Sequence, residues 1–334
     1  MTAPATPQQL AALVQDQQAT EAATLEEGTA EQADSGAGTE LAALVTVALT
    51  AWIAAFGTLT AAGAGVKLAA LLAGLRADVD RGGRGLGARS QRALEDALGG
   101  ATRLGARHAA DFLTLASGRH HAIPDAGVPD EAARAAAFLS GAVTEQLRLA
   151  ARLLSPRMVS GSGWRGVLAG IGAARRAVTL VRQTIAWTIH RAINSGAAQV
   201  ADHYGARLLW ITEPDACVTC LAYAGHLSTE DGRFPGGLSM DPAARSTSKA
   251  ALDGPPAHVN CRCRAVPWLP AWDTGDGSLP ALLRDQAWRS VAAGRGRPSE
   301  SRAARRRAAQ ALLAQRGLSA RVRRQAAATA AGRT

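Results

Sequence analysis

All four cysteines of this 334-residue chain fall in two short stretches, DACVTC at 215–220 and HVNCRC at 258–263, the second opening on a histidine. Thirty-seven residues separate Cys220 from His258. A fold that uses these side chains together must bring two distant segments to one place. Cys217-Val-Thr-Cys220 is a CxxC turn, which aims two thiolates at one centre. In an extended segment Cys261 and Cys263 lie on the same side. With His258 they make five donors for a tetrahedral ion that takes four. Three thiolates with one imidazole and four thiolates are both feasible. The expected set is Cys217, Cys220, His258 and one of Cys261 or Cys263, and the spacing does not choose between the last two. A closed four-donor zinc site is structural, and would clamp a loop that has little apolar content of its own. The competing readings are a redox pair and plain buried thiols. A redox CxxC opens a helix in a thioredoxin-like βαβ unit. Here the pair follows a strand-like segment, ARLLWIT at 206–212, and precedes the Gly/Pro-rich GRFPGG at 232–237. Four cysteines in so long a chain do not make a disulfide scaffold, which favours a reducing compartment. No secretory signal pattern is visible.

Around this cluster the pattern is helical. Alanine dominates the apolar residues and aromatics are few, so helices packed through small side chains are expected. Residues 1–40 carry little bulky apolar content and are expected to be a disordered acidic N-terminus, with at most a short helix near 7–18. Residues 41–66 are uncharged. That length could span a bilayer, but Leu41, Val45, Leu49, Trp52, Ile53, Phe56 and Leu59 recur at helical spacing and threonines and glycines dilute the rest. A buried or partner-packed helix is expected, and no membrane partner. Further helices are expected at 88–117, kinked near Gly99-Gly100, at 130–154, and at 166–204, the last stopped by Gly205. Ser160 to Gly163 reads as a hinge. After Trp272 come helices over 279–293, from a Ser299 cap to Gln315, and from a Ser319 cap to Ala330. The expected organisation is a disordered segment 1–40, a helical region 41–160, a module 161–272 with the long helix and the Cys/His cluster, and an Arg-rich helical region 273–334. The fold class is mainly α, with helices around a small zinc-clamped, β-containing module.

Charge is distributed unevenly. No basic residue precedes Lys67, whereas seven acids do. From Arg284 onward thirteen arginines face only Asp285 and Glu300. Because the chain has 35 Arg and 2 Lys beside much Ala and Gly, Arg richness in itself carries little weight. Its concentration at one end points to an anionic partner, nucleic acid or an acidic protein surface. Arg305, Arg306, Arg307, Arg321, Arg323 and Arg324 are the expected phosphate contacts. They spread over more than one helical face, which suits non-specific binding.

Trp210, Asp215, the CxxC pair, LAYAG (221–225), FPGG (234–237) and PPAHVNCRC (255–263) together resemble the phage Mu protein F-like, or minor head protein, family. The resemblance is close over 206–268 and looser over 166–204 and 289–318, about half the chain. The family's usual HPNCRC stands here as HVNCRC, and LAYAG replaces a Leu-Asp-Gly stretch. Neither change removes a proposed ligand. The resemblance implies a head-morphogenesis protein inside the virion. It would be made in the host cytoplasm, join the prohead near the portal protein and other head proteins, and contact packaged DNA.

An enzyme reading is the alternative. Cysteines flanking a His-x-Asn could support an HNH-type nuclease, with His226, Asp231 and Asp253 as further ligands. No Asp-His pair precedes the motif. HExxH, P-loop and nucleophile-elbow patterns are absent. A binding role is therefore expected, not turnover. His108, His190 and His203 are expected at the surface or an interface, and Trp210, Trp268 and Trp272 in the local core of the module.

Overall fold

The computed structural model describes residues 3–60, 63–245, 250–297 and 300–333. It is mainly helical. The helices are α1 (Pro7–Ala12), α2 (Gln18–Asp34), α3 (Ala37–Phe56), α4 (Gly65–Gly82), α5 (Leu86–Ser117), α6 (Asp130–Leu153), α7 (Pro156–Val159), α8 (Trp164–His203), α9 (Val218–Leu221), α10 (Leu279–Ala292), α11 (Arg302–Leu312) and α12 (Ala320–Ala330). A π-helical turn, Leu13–Gln17, joins α1 to α2. The strands β1 (Arg207–Ile211) and β2 (Arg264–Trp268) pair antiparallel.

The chain divides into two compact units that do not follow the linear boundaries expected from composition. One comprises 26–98 and 130–188. Its core is built from aliphatic stripes, such as Leu68, Leu72, Leu75 and Val79 of α4 and Leu139 and Val143 of α6. Trp52 packs between Phe56 and Trp164, with ring centroids at 4.6 and 5.9 Å. On α3, Leu41, Leu44, Ala48 and Trp52 are buried, while Val47, Leu49 and Ile53 are exposed. By length and hydropathy α3 is the one helix among the described residues apolar enough to cross a membrane.

The other unit comprises 1–25, 99–129 and 189–334 and holds the sheet. Alternation along the strands gives the sheet two buried faces. Leu208, Trp210 and Ala265 face a core shared with Tyr223, Phe234, Val291, Leu312 and Val322. Leu209, Ile211, Val266 and Trp268 face a second cluster with Phe112, Leu279 and Leu283. On this second face sits the short helical segment expected near 7–18; the disorder expected for the rest of 1–40 is not observed, since 18–34 is helical. Leu10 and Val14 are buried against the sheet, each worth roughly 1.5–3 kcal/mol when removed from water. Polar contacts fix the segment, among them Ala5 N–H to the Leu115 carbonyl at 2.8 Å, Gln15 Nε2 to the Thr212 carbonyl at 2.9 Å, Gln18 Nε2 to the His108 carbonyl at 2.9 Å, and the buried Arg264 donating to the Val14 carbonyl. Its start is written locally, since Thr6 and Gln9 form a reciprocal capping box with Pro7 at the first helical position.

Other boundaries fall near expectation. Helix α5 runs unbroken through Gly99-Gly100. Gly205, at φ +61°, ends α8. Within the sheet-bearing unit α5 and α8 meet at glycines. A Cβ on Gly196 would stand 2.0 Å from the Thr102 carbonyl oxygen, and one on Gly105 would stand 1.8 Å from that of Ile193. Ser319 caps α12 as expected. The expected Ser299 cap lies outside the described residues, and Ser301 caps α11.

Candidate metal centre

The register of the small sheet assembles the site. Ile211, at the end of β1, stands opposite Arg264, at the start of β2. The chain leaves β1 towards Cys217 and enters β2 directly from Cys263, so antiparallel pairing brings the two cysteine stretches together. Cys217 is the N-cap of α9, its sulfur accepting from the Cys220 N–H at 3.5 Å. A turn closed by the Cys261 N–H to the His258 carbonyl, at 2.9 Å, folds the second stretch back. Beyond β1, residues 225–228 run along its other side, with the Trp210 N–H donating to the His226 carbonyl at 2.9 Å and the Ser228 N–H to that of Leu208 at 2.7 Å. Trp210 stacks on Tyr223, centroids 4.5 Å apart, and takes Phe234 edge-on at 5.0 Å. Two glycines of the resemblance motifs, Gly225 and Gly236, sit where a side chain would collide. A Cβ on Gly225 would lie 2.2 Å from the Pro280 carbonyl oxygen, and one on Gly236 1.8 Å from that of Ala250.

All five expected donors converge. His258 Nε2 lies 3.1 Å from both Cys217 Sγ and Cys220 Sγ, and Cys220 Sγ lies 3.5 Å from Cys261 Sγ. Two overlapping triads result, Cys217–Cys220–His258 and Cys220–Cys261–Cys263, each able to hold a metal ion, with Cys220 common to both. A cavity of about 10 Å³, the size of one small occupant, is bounded by Cys217, Cys220, His258 and Cys263 together with Glu213 and Arg297. Cys261 thus reaches the first triad by sulfur contact and Cys263 by lining the space.

The acidities reflect this crowding. The Cys217 thiol is pulled down to about 4 by the hydrogen bond with Cys220 and, against burial, by His258. His258 is raised by its hydrogen bond to Cys217. The Cys261 thiol is lowered by its hydrogen bond with Cys220, and the Cys220 thiol is raised by those with Cys217 and its other sulfur neighbours. The surroundings thus favour Cys217 and Cys261 as thiolates, while a divalent cation bound here would also have to displace the Cys220 proton and hold His258 neutral.

Several supporting residues carry no motif. Asn194 of α8 donates to the Cys263 carbonyl at 3.1 Å and accepts from the Ala265 N–H at 2.8 Å, fixing β2 on both sides of its first residue. Arg297 ties the two stretches together, donating to the Asn260 carbonyl at 3.0 Å and pairing with Glu213 and Asp215. Glu300 Oε1 accepts from the Val218 N–H, 2.7 Å away at the start of α9. No local sequence pattern signals them.

No family model, no curated protein and no solved structure matches the chain.

Two of the arginines expected to meet phosphate are committed elsewhere. Arg305 is 4% exposed, pairs with Glu300, and donates to the Ala216 carbonyl at 2.9 Å, so it braces the CxxC turn from inside. Arg307 is bidentate on the buried carboxylate of Asp241, at 2.8 and 2.6 Å, and that pairing holds the Asp241 carboxyl below its usual range. Arg306, Arg321, Arg323 and Arg324 are exposed. The further ligands of the nuclease alternative do not join the cluster. Asp231 is bound by Thr229, Asp253 by Arg233, and His226 lines a separate cavity beside Trp288. Trp210 and Trp268 are core residues as expected. His108 and His190, expected at the surface or an interface, are buried, and His108 hydrogen-bonds Glu21.

Proposed function

We propose that the chain is a phage minor head protein of the Mu F-like type, and that a structural zinc ion closes its Cys/His module into a rigid knob gripped by another head component. The observation that carries this reading is the β1–β2 register, which turns the CxxC and HxxCxC stretches into one donor set. The donor chemistry suits zinc. With Zn–S roughly 2.3 Å and Zn–N roughly 2.0 Å, tetrahedral edges come to about 3.5–3.8 Å, a few tenths longer than the sulfur–nitrogen and sulfur–sulfur separations here. Cys217, Cys220 and His258 supply three ligands and the Cys261/Cys263 pair the fourth. Bound there, zinc would supply folding energy and would leave no position for a substrate. The role is therefore assembly and not turnover. The resemblance over 206–268 supplies the setting: the prohead, close to the portal. Arg306, Arg321, Arg323 and Arg324 are the remaining surface for packaged DNA, whose affinity would fall with salt.

The test is made on the purified, reduced full chain. One equivalent of zinc is expected, lost in Cys220→Ser and His258→Ala. Of Cys261→Ser and Cys263→Ser, the variant that loses the ion identifies the fourth ligand. Co-purification with the portal protein is expected to disappear on chelation. Absence of zinc removes the clamp; zinc without portal association leaves the clamp and removes the assembly role.

A further inference from the structure

A second site lies away from the sulfur cluster. A cavity of about 460 Å³ opens where α10, the turn after it and the first residues of α12 meet. That volume is within the range of small-molecule sites. Three guanidinium groups from these three elements line it: Arg289 of α10, Arg295 of the turn, and Arg321 of α12. Gln286, Ser319 and Gln325 add amide and hydroxyl groups, and no carboxylate lines the cavity. Arg289 is held to its face of α10 by Asp285, one turn earlier at 2.5 Å. Among the described residues Arg295 and Arg321 have no carboxylate partner. Two cations without carboxylate partners beside a third on one concavity repel each other unless an anion fills it. Planar guanidinium forks match the paired oxygens of a phosphate, a geometry that a monatomic anion such as a halide does not offer.

We infer that this cavity binds a terminal phosphoryl group. The inference goes beyond the assembly role and does not depend on the metal. Only Arg321 among the arginines singled out by sequence lines the cavity; Arg289 and Arg295 join it through the fold. A pocket, in contrast to a flat basic helix face, receives the end of a ligand and not the side of a duplex. The same chemistry comes from a free nucleotide or from the 5′-phosphate of a DNA strand.

The experiment titrates the full chain with pyrophosphate, with dATP, and with a short blunt duplex carrying or lacking its 5′-phosphates. Zinc content and helicity are measured on each sample, so that failure of the metal module is seen separately. Binding of pyrophosphate or dATP is expected below about 1 mM, weakened about tenfold by Arg295→Gln or Arg321→Gln, each an exposed side chain. If only the 5′-phosphorylated duplex shows that loss, the source is a DNA end. The inference is overturned if none of the probes binds, if the two duplexes bind alike and nothing smaller binds, or if both variants bind as the parent does.

Discussion

Arg305 and Arg306 are adjacent, yet one is inside the molecule and the other faces solvent. The Arg305–Glu300 pair is buried on both sides, with side-chain exposures of 5% and 9%, and reaches the CxxC turn through the carbonyl of Ala216 and the N–H of Val218. Removing one partner leaves a charge without compensation in a low-dielectric setting, at a cost of about 3–5 kcal/mol. Arg305→Ala is therefore expected to lower the urea midpoint strongly and to weaken metal retention. Arg306→Ala should shift stability by no more than about 0.5 kcal/mol. Equal effects of the two substitutions would contradict the bracing role. Sequence alone showed a run of three arginines; which of them points inward depends on where α11 lies against α9, and no local pattern encodes that.

Helices α5 and α8 approach through backbone, not side chains, within the sheet-bearing unit. Gly196→Ala there would press a methyl group on the Thr102 carbonyl, and overpacking of this kind costs about 1–3 kcal/mol. Gly28, exposed in α2 with nothing within 4 Å of an added Cβ, provides the opposite case. Gly28→Ala is expected to stabilise by roughly 0.5–1 kcal/mol through helix propensity. Thermal unfolding of the two variants should move in opposite directions; a destabilised Gly28→Ala would show that propensity is not the deciding term. Much at this scale was legible. The long helix, its Gly205 stop, the Ser319 cap and the first strand follow from periodicity and capping chemistry that act within a few residues. The partner strand RAVPW was not, because a proline sits within it and its pairing with 207–211 is non-local. The five donors were legible because few residue types do that chemistry. Their supports, Asn194, Arg297 and Glu300, were not, since amides and charges occur everywhere and only the fold selects them. The short helix near 7–18 was legible, whereas the helix Gln18–Asp34, expected to be disordered, was not, because its few bulky apolar residues leave no stripe to read.

At the scale of the molecule, burial sets a dependence on pH. Burial lowers the pKa of His108 even though Glu21 hydrogen-bonds to it and pulls the other way. Desolvation tends to raise the Glu21 carboxyl, but His108 and Arg107 bring it below its ordinary value. Both folded pKa values lie below the unfolded ones, so the unfolded chain takes up more protons and stability falls as the pH is lowered. The His108 contribution is complete above its unfolded value of 6.5 and is lost progressively below it. The Glu21 contribution is lost only at pH values below 4.5. The melting temperature is expected to drop between pH 7.5 and pH 5.5, by less in His108→Gln, with the difference between the two proteins isolating this residue from the thiolates. Identical profiles would remove His108 as the source and leave the other shifted groups, the buried His226 among them.

The seat of Leu10 and Val14 is made by residues 209–211 and 266–283, so a segment translated early is completed by one translated about 250 positions later. During vectorial synthesis at about 5–20 residues per second, the early helix must wait many seconds with its apolar stripe uncovered. A chaperone that holds nascent chains has a window to bind there, and the arrival of the second strand is the event that would displace it.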